Sequence, residues 1–215
     1  MLTYRFLPAP TSTRGHCLVL HGLGDSMQGW MPVTQALPVP GLRWGFCNAP
    51  TPYYGGYSWY RIPGMTGPDD TEAEQLADLA SSRAALEELI AHLIAAEGID
   101  PAALILLGFS QGCAMVLDHA LGSDRRYAGV VGISGYLPEP GRFPAAFGSA
   151  AEDQRILQTH GRLDPVVPID MARAGRDHLQ GLGIEIDWRE YAKEHGVDPE
   201  HELADLTAWM DQVLA

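Results

Sequence analysis

The sequence predicts an α/β fold built on a mostly parallel sheet, and two observations carry that prediction. Short apolar runs alternate with helical patterns along the whole chain, the order expected of strand-helix units wound around a parallel sheet. The run "ALILLGF" (103–109) has no polar side chain and no alternation, as suits a central strand covered on both faces. The 215 residues, 46% of them hydrophobic, suffice for one sizeable core, so a single domain over 1–215 is expected.

The elements follow in order. "HCLVLHG" (16–22) and "LRWGFCNAP" (42–50) read as short buried strands. Residues 48–70, rich in Gly, Pro, Tyr and Trp, read as a long loop, and long loops in compact domains are often functional. Thr71 with Glu74 three residues on has capping-box spacing and starts a helix that Gly98 ends. Leu76, Leu79, Leu86, Leu89, Leu93 and Ile94 supply its inward face. Strand 103–109 leads directly into a helical segment, 111–120. Strands follow at 127–134, 155–161 and 184–191, with a helix near 168–180. Asp198 before Pro199 reads as cap and first-turn proline of a last helix. Leu203, Leu206, Met210 and Val213 form its stripe.

Charge and composition exclude several functions. A net charge of −13 repels nucleic acid and anionic headgroups. No apolar run reaches about 18 residues, so no stable membrane insertion is expected. The N-terminus lacks the pattern of a secretory signal. Cys17, Cys47 and Cys113 are odd in number and lack metal-ligand spacing, which points to a reduced, cytoplasmic protein.

The chemistry centres on "GFSQG" (108–112). With 24 glycines in the chain, chance alone gives ~0.1 Gly-x-Ser-x-Gly matches, so the pattern by itself is weak. Its place between a strand and a helix is what a nucleophile elbow requires, and this makes Ser110 the candidate nucleophile. Ser134, in "GISGYLP", lacks a small residue at 136 and a following helix, and reads as a strand-end cap beside the site. A serine nucleophile needs a base, and the base needs an orienting carboxylate. His195 lies in the loop between the last strand and the last helix, where a base can lean over the sheet's carboxyl edge. His119 and His178 fall within helices, the latter read as solvated. His201 falls on the surface of a helix start, and His160 at a strand end. Asp164 follows strand 155–161, whereas Asp153 precedes it and Asp170 caps a helix. The order Ser110, Asp164, His195 is the order of this architecture. For the oxyanion hole, the backbone N–H groups of Gln111 and of Leu23 in "LHGLGD" (20–25) are the candidates.

With these pieces in place, the sequence resembles the phospholipase/carboxylesterase family of α/β-hydrolases, which includes the acyl-protein thioesterases. The resemblance rests on "LHGLGD" (20–25), "SWYRI" (58–62), "LGFSQG" (107–112), "YLP" (136–138), "HGRLDPVVP" (160–168) and "HGVDPE" (195–200), in family order. It implies an α/β-hydrolase fold with helices on both faces and no large cap domain. It supports Ser110, Asp164 and His195 as triad and Leu23 and Gln111 as oxyanion donors, and it requires no metal or cofactor. Three positions depart from the family pattern. Cys113 stands where a second Gly is usual, and reads as a small packed hydrophobe. Ala192-Lys193-Glu194 replaces Gly-Met-Gly before the base, and Arg61 replaces an acidic residue.

The expected activity is hydrolysis of short- to medium-chain carboxylic esters through an acyl-enzyme on Ser110. Acyl-protein thioesterase and lysophospholipase activities of the same family are the alternatives, and a non-catalytic binder on a hydrolase fold is the rival from another class. The substrate is a small-molecule ester or thioester. Trp59, Tyr60, Met65 and Leu137 are the candidate acyl contacts, with Tyr53, Tyr54, Met27 and Trp30 nearby. Apolar loops flanking the site offer a surface for a homodimer.

Overall fold

The computed structural model describes residues 1–215. The chain opens with β1 (Tyr4–Phe6) and β2 (Gly15–Leu20), then two single turns, α1 (Met27–Trp30) and α2 (Val33–Ala36), and β3 (Leu42–Cys47). A small hairpin, β4 (Thr51–Tyr53) and β5 (Gly56–Ser58), precedes the long helix α3 (Glu72–Glu97). β6 (Leu104–Phe109), α4 (Gln111–Leu121), β7 (Gly129–Ile133), β8 (Ile156–Gly161), α5 (Ile169–Gly181), β9 (Ile186–Tyr191) and α6 (Glu202–Val213) complete it.

Seven strands form one sheet in the order β1-β3-β2-β6-β7-β8-β9. All neighbours are parallel except β1, which runs antiparallel to β3 at one edge. Strand order reverses at β2, since β3 lies on one side and β6 on the other. The carboxyl edge between β2 and β6 is therefore a switch point, where open α/β sheets form a crevice.

Alternate residues of the central strands feed two apolar layers. Leu18, Leu20, Leu104 and Leu106 pack with α3 and α4 on one face. Cys17, Val19, Ile105 and Leu107 pack with Leu206, Trp209 and Met210 of α6 on the other. Both faces of β6 are thus dry, which is why its sequence has no alternation. Each fully buried Leu or Ile here contributes roughly 1.5–3 kcal/mol.

The capping box of α3 is present in both halves, Thr71 accepting from Glu74 N and Glu74 from Thr71 N. Gly98 ends the helix at φ 67°, a conformation glycine adopts without a Cβ clash.

Four local expectations are corrected. Leu76 of α3 is exposed, and Ile90 takes an inward place instead. The last helix starts at Glu202, not at Pro199, because Asp198 Oδ1 closes a preceding turn onto the N–H groups of Glu200 and His201. His178 is half-buried rather than solvated. The 48–70 stretch holds the β4–β5 hairpin, and β1, α1 and α2 add elements too short to show a period. Cys113 does pack as a small hydrophobe, and burial pushes its thiol up to about 12. No helix is long and apolar enough to cross a membrane.

His119 of α4 is buried against Tyr127, its Nε2 lying 2.8 Å from the phenol oxygen. Burial, and then Arg125, lower its pKa to about 4. Unfolding would return it to about 6.5, so the unfolded chain binds the extra proton between those values. The stability present above pH 6.5 is therefore lost as pH falls toward 4, by up to roughly 3 kcal/mol. Urea unfolding of His119→Gln should show a flatter decline over that interval than the native chain. Parallel declines would exclude His119 as a source of the acid sensitivity.

Candidate active site

Ser110 sits at the tightest crossing in the sheet. A Cβ on Gly108 would lie 2.1 Å from the Gly112 carbonyl oxygen, and one on Gly112 would lie 2.1 Å from that of Leu20. Only glycine lets β6 turn into α4 this closely beside β2. The turn forces Ser110 to φ 54°, ψ −115°, a strained conformation for a residue with a Cβ. Its backbone N–H is tied to the Ile133 carbonyl at 2.9 Å, and its side chain projects from the sheet's carboxyl edge.

His195 reaches Ser110 from the loop between β9 and α6. Its Nε2 is 3.0 Å from Ser110 Oγ, and its Nδ1 is 2.8 Å from Asp164 Oδ2. The ring packs against Phe109 with centroids 5.0 Å apart. Asp164 lies in the turn after β8, where its Oδ1 accepts from the N–H groups of Val166 and Val167, both at 2.9 Å. Burial opposes ionisation of Asp164. The hydrogen bond from His195 and these two N–H groups outweigh it, so its carboxyl lies below the usual range. An ionised Asp164 assigns the ring proton to Nδ1 and leaves Nε2 to accept from the serine. Ser134, buried and at φ 51°, donates to the Gly196 carbonyl at 3.3 Å and so steadies the His195 loop.

Leu23 and Gln111 both line the cavity over Ser110. The Leu23 N–H has no partner in the protein, and Gln111 opens α4, where first-turn N–H groups have no helical acceptor. The loop bearing Leu23 is held by buried polar groups. His21 Nδ1 donates to the Gly22 carbonyl at 2.7 Å, and its Nε2 accepts from Ala49 N at 3.1 Å. Trp59 Nε1 donates to the His21 carbonyl at 2.9 Å. The Gln111 side chain accepts from Trp59 N at 3.0 Å and donates to the Tyr60 carbonyl at 2.7 Å. Ser82 of α3 bonds the Trp59 carbonyl from below.

This network corrects the expected substrate contacts. Trp59, Tyr60 and Leu137 are enclosed and do not line the cavity. Trp59 braces the Leu23 loop, and the Tyr60 hydroxyl donates to that of Tyr136 at 3.0 Å. Tyr53, Tyr54, Met27 and Trp30 do not line it either, and Tyr54 points outward at the hairpin tip. Met65 does line it. The remaining apolar walls are Leu23, Ile62, Pro63, Phe109, Tyr136, Val166, Val167 and Met171. Several of these lie inside "SWYRI", "YLP" and "DPVVP", and only the fold shows which side chains of each motif face inward. The cavity measures about 760 Å³, within the range of small-ligand sites. Met65, Val166 and Met171 leave its rim apolar and about half exposed. Arg61 lies behind the Ile62–Met65 wall and fastens it to α3 through Asp78 and Glu74.

A parallel α/β sheet with a strained serine at its carboxyl edge, and a histidine and an aspartate in line with it, defines an α/β-hydrolase of the serine type. The pattern of the phospholipase/carboxylesterase family matches residues 9–214. Acyl-protein thioesterase 1 of Schizosaccharomyces pombe is 34% identical over 169 residues, spanning 75% of this chain and 74% of that one. Acyl-protein thioesterase 1 homolog 1 of Dictyostelium discoideum is 32% identical over 174 residues, spanning 76% and 75%. The crystal structure of esterase PE8 superposes with a TM-score of 0.87 at 26% identity over 99% of both chains. The chain belongs to the phospholipase/carboxylesterase family, whose members are serine hydrolases acting on ester bonds.

Gln111→Leu keeps the side-chain size but leaves the buried Trp59 N–H without an acceptor and removes one of the two bonds to the Tyr60 carbonyl, which keeps that from Ser58 Oγ at 2.9 Å. Urea unfolding should show a loss of roughly 2–4 kcal/mol. A loss under about 1 kcal/mol would mean that these bonds do not hold the loop.

Proposed function

We propose that this protein is a carboxylesterase that hydrolyses short- to medium-chain carboxylic esters through an acyl-enzyme on Ser110. The observation that supports it best is the aligned Ser110–His195–Asp164 chain on the floor of an apolar cavity. As Ser110 Oγ attacks the carbonyl carbon, its proton passes to His195 Nε2. Asp164 holds the resulting imidazolium, and the N–H groups of Leu23 and Gln111 receive the oxyanion, each lowering the barrier by ~3 kcal/mol. His195 returns the proton to the departing alcohol. A water molecule then gives a proton to His195 and attacks the acyl carbon. The acid leaves, and the proton goes back to Ser110 Oγ.

A second reading, acyl-protein thioesterase, is favoured by the names of the curated relatives. The open, apolar rim suits a bulky leaving group as well as a small one. In either case the acyl chain lies between the Ile62–Met65 wall and the Val166–Met171 wall. The three free, buried cysteines accord with a reducing, cytoplasmic setting.

Ser110→Ala should lower turnover of p-nitrophenyl butyrate by ~10⁴-fold or more while leaving the fold intact. Near-native turnover in that variant would sink the acyl-enzyme. For chain length, p-nitrophenyl esters from C2 to C16 are compared with a palmitoylated peptide and a lysophospholipid. Highest kcat/KM at C4 to C8 with a steep fall beyond supports the esterase, whereas preference for the palmitoylated peptide replaces it with the thioesterase.

A further inference from the structure

Lys193 is the single lysine of the chain, and its side chain is only 6% exposed. Its Nζ donates to Glu202 Oε1 at 2.6 Å, to Glu202 Oε2 at 2.7 Å and to the Gly196 carbonyl at 2.7 Å. All three ammonium protons have acceptors. Glu202, with no exposed side-chain surface, also accepts from the Asp198 N–H at 2.7 Å. The ammonium therefore closes the 193–202 loop from inside, bonding the residue immediately after His195. At the apex, the Gly196 N–H bonds the Glu194 carbonyl at 3.0 Å.

The main chain of Lys193 reaches the other half of the site. Its carbonyl accepts from the Leu163 N–H at 3.1 Å, one residue before Asp164. The approach is close enough that a Cβ on Gly161 would lie 2.3 Å from that carbonyl oxygen. One residue thus bonds both the loop that carries the acid and the loop that carries the base. Apart from the bonds of the His195 ring itself to Asp164 and Ser110, the loop gains one longer bond, from Ser134 to the same Gly196 carbonyl.

We infer that Lys193 is a positioning residue for hydrolysis: its buried ammonium, clamped between Glu202 and the Gly196 carbonyl, holds His195 in line with Ser110 and Asp164. The inference rests on the proposed role of His195 as base. It concerns geometry and not substrate binding, because neither Lys193 nor Glu202 lines the cavity. Losing the clamp should lower kcat and spare KM. Displacing a catalytic group by about 1 Å lowers rates by up to about 100-fold.

Removing Lys193 alone would leave Glu202 charged and buried, which is strongly destabilising, whereas replacing a buried pair by apolar side chains is often tolerated. The test is therefore Lys193→Met/Glu202→Met, assayed with p-nitrophenyl butyrate beside the native chain and Ser110→Ala. The expected result is a folded protein whose kcat falls roughly 10- to 100-fold with KM unchanged within about twofold. The downfield proton resonance of the His195–Asp164 hydrogen bond should broaden or vanish with it. A folded double variant with kcat within about twofold of native overturns the inference. So does a loss of activity that is restored on cooling in step with recovered structure. If the double variant does not fold, Lys193→Met alone, assayed below its unfolding transition, is held to the same outcomes. If Ser110→Ala keeps its turnover, the acyl-enzyme reading itself fails. If Ser110→Ala is inactive while the double variant is fully active, the clamp alone fails.

Discussion

The close crossing of β2, β6 and α4 is the constraint on which the rest of the site depends. Gly108 and Gly112 let the three backbones approach to distances at which a Cβ would collide with a carbonyl oxygen. That approach leaves Ser110 no relaxed conformation. It is held at positive φ because the surrounding layers are close-packed and cannot give way. The same crossing sets the start of α4, and with it the Gln111 N–H, beside the Leu23 loop.

Around this rigid floor, the loops are fixed by buried polar groups. The Leu23 loop is fastened by His21, Trp59 and the Gln111 side chain. The His195 loop is fastened by Lys193, Glu202 and Ser134. Apolar packing is proportional to area and has little direction, whereas hydrogen bonds in a dry interior have strict geometry. A loop that must hold one atom within a few tenths of an ångström is better located by the second kind of force. The cavity walls, by contrast, are apolar and half-exposed, and leave more latitude to what binds between them.

Two of the three departures from the family pattern find a place in this arrangement. Arg61 joins the wall of the cavity to carboxylates of α3. Lys193 joins the His195 loop to a carboxylate of α6. In both cases a basic side chain in a strongly acidic protein has found acidic partners within the chain. Cys113 fills space beside Gly132 and Gly135, where a Cβ on either glycine would lie 2.7 Å from its sulfur, and its thiol is held neutral by burial.

The residues that meet at Ser110 were legible because short-range chemistry marks them. A buried strand without alternation, two glycines flanking a serine, a carboxylate just past one strand and a histidine just past another are local features. So were the capping box of α3 and the αL glycine that ends it, since each involves residues three or four apart. The lining of the cavity was not legible. Trp59 and Tyr60 are large, aromatic and set in a loop, yet they face inward, because the hydrogen bonds that fix them come from residues some 20 to 50 positions away in sequence. Leu76 has the helical spacing of a core residue, yet in the first turns of α3 it is exposed. The partner of Lys193 was hidden for the same reason as the walls. The sequence by itself determined which groups could react and in what order they lie along the sheet, since strand, turn and helix signals are local. Only the tertiary structure decided which side chains face the cavity and which hold the loops, because facing is set by the packing of layers that meet only after folding.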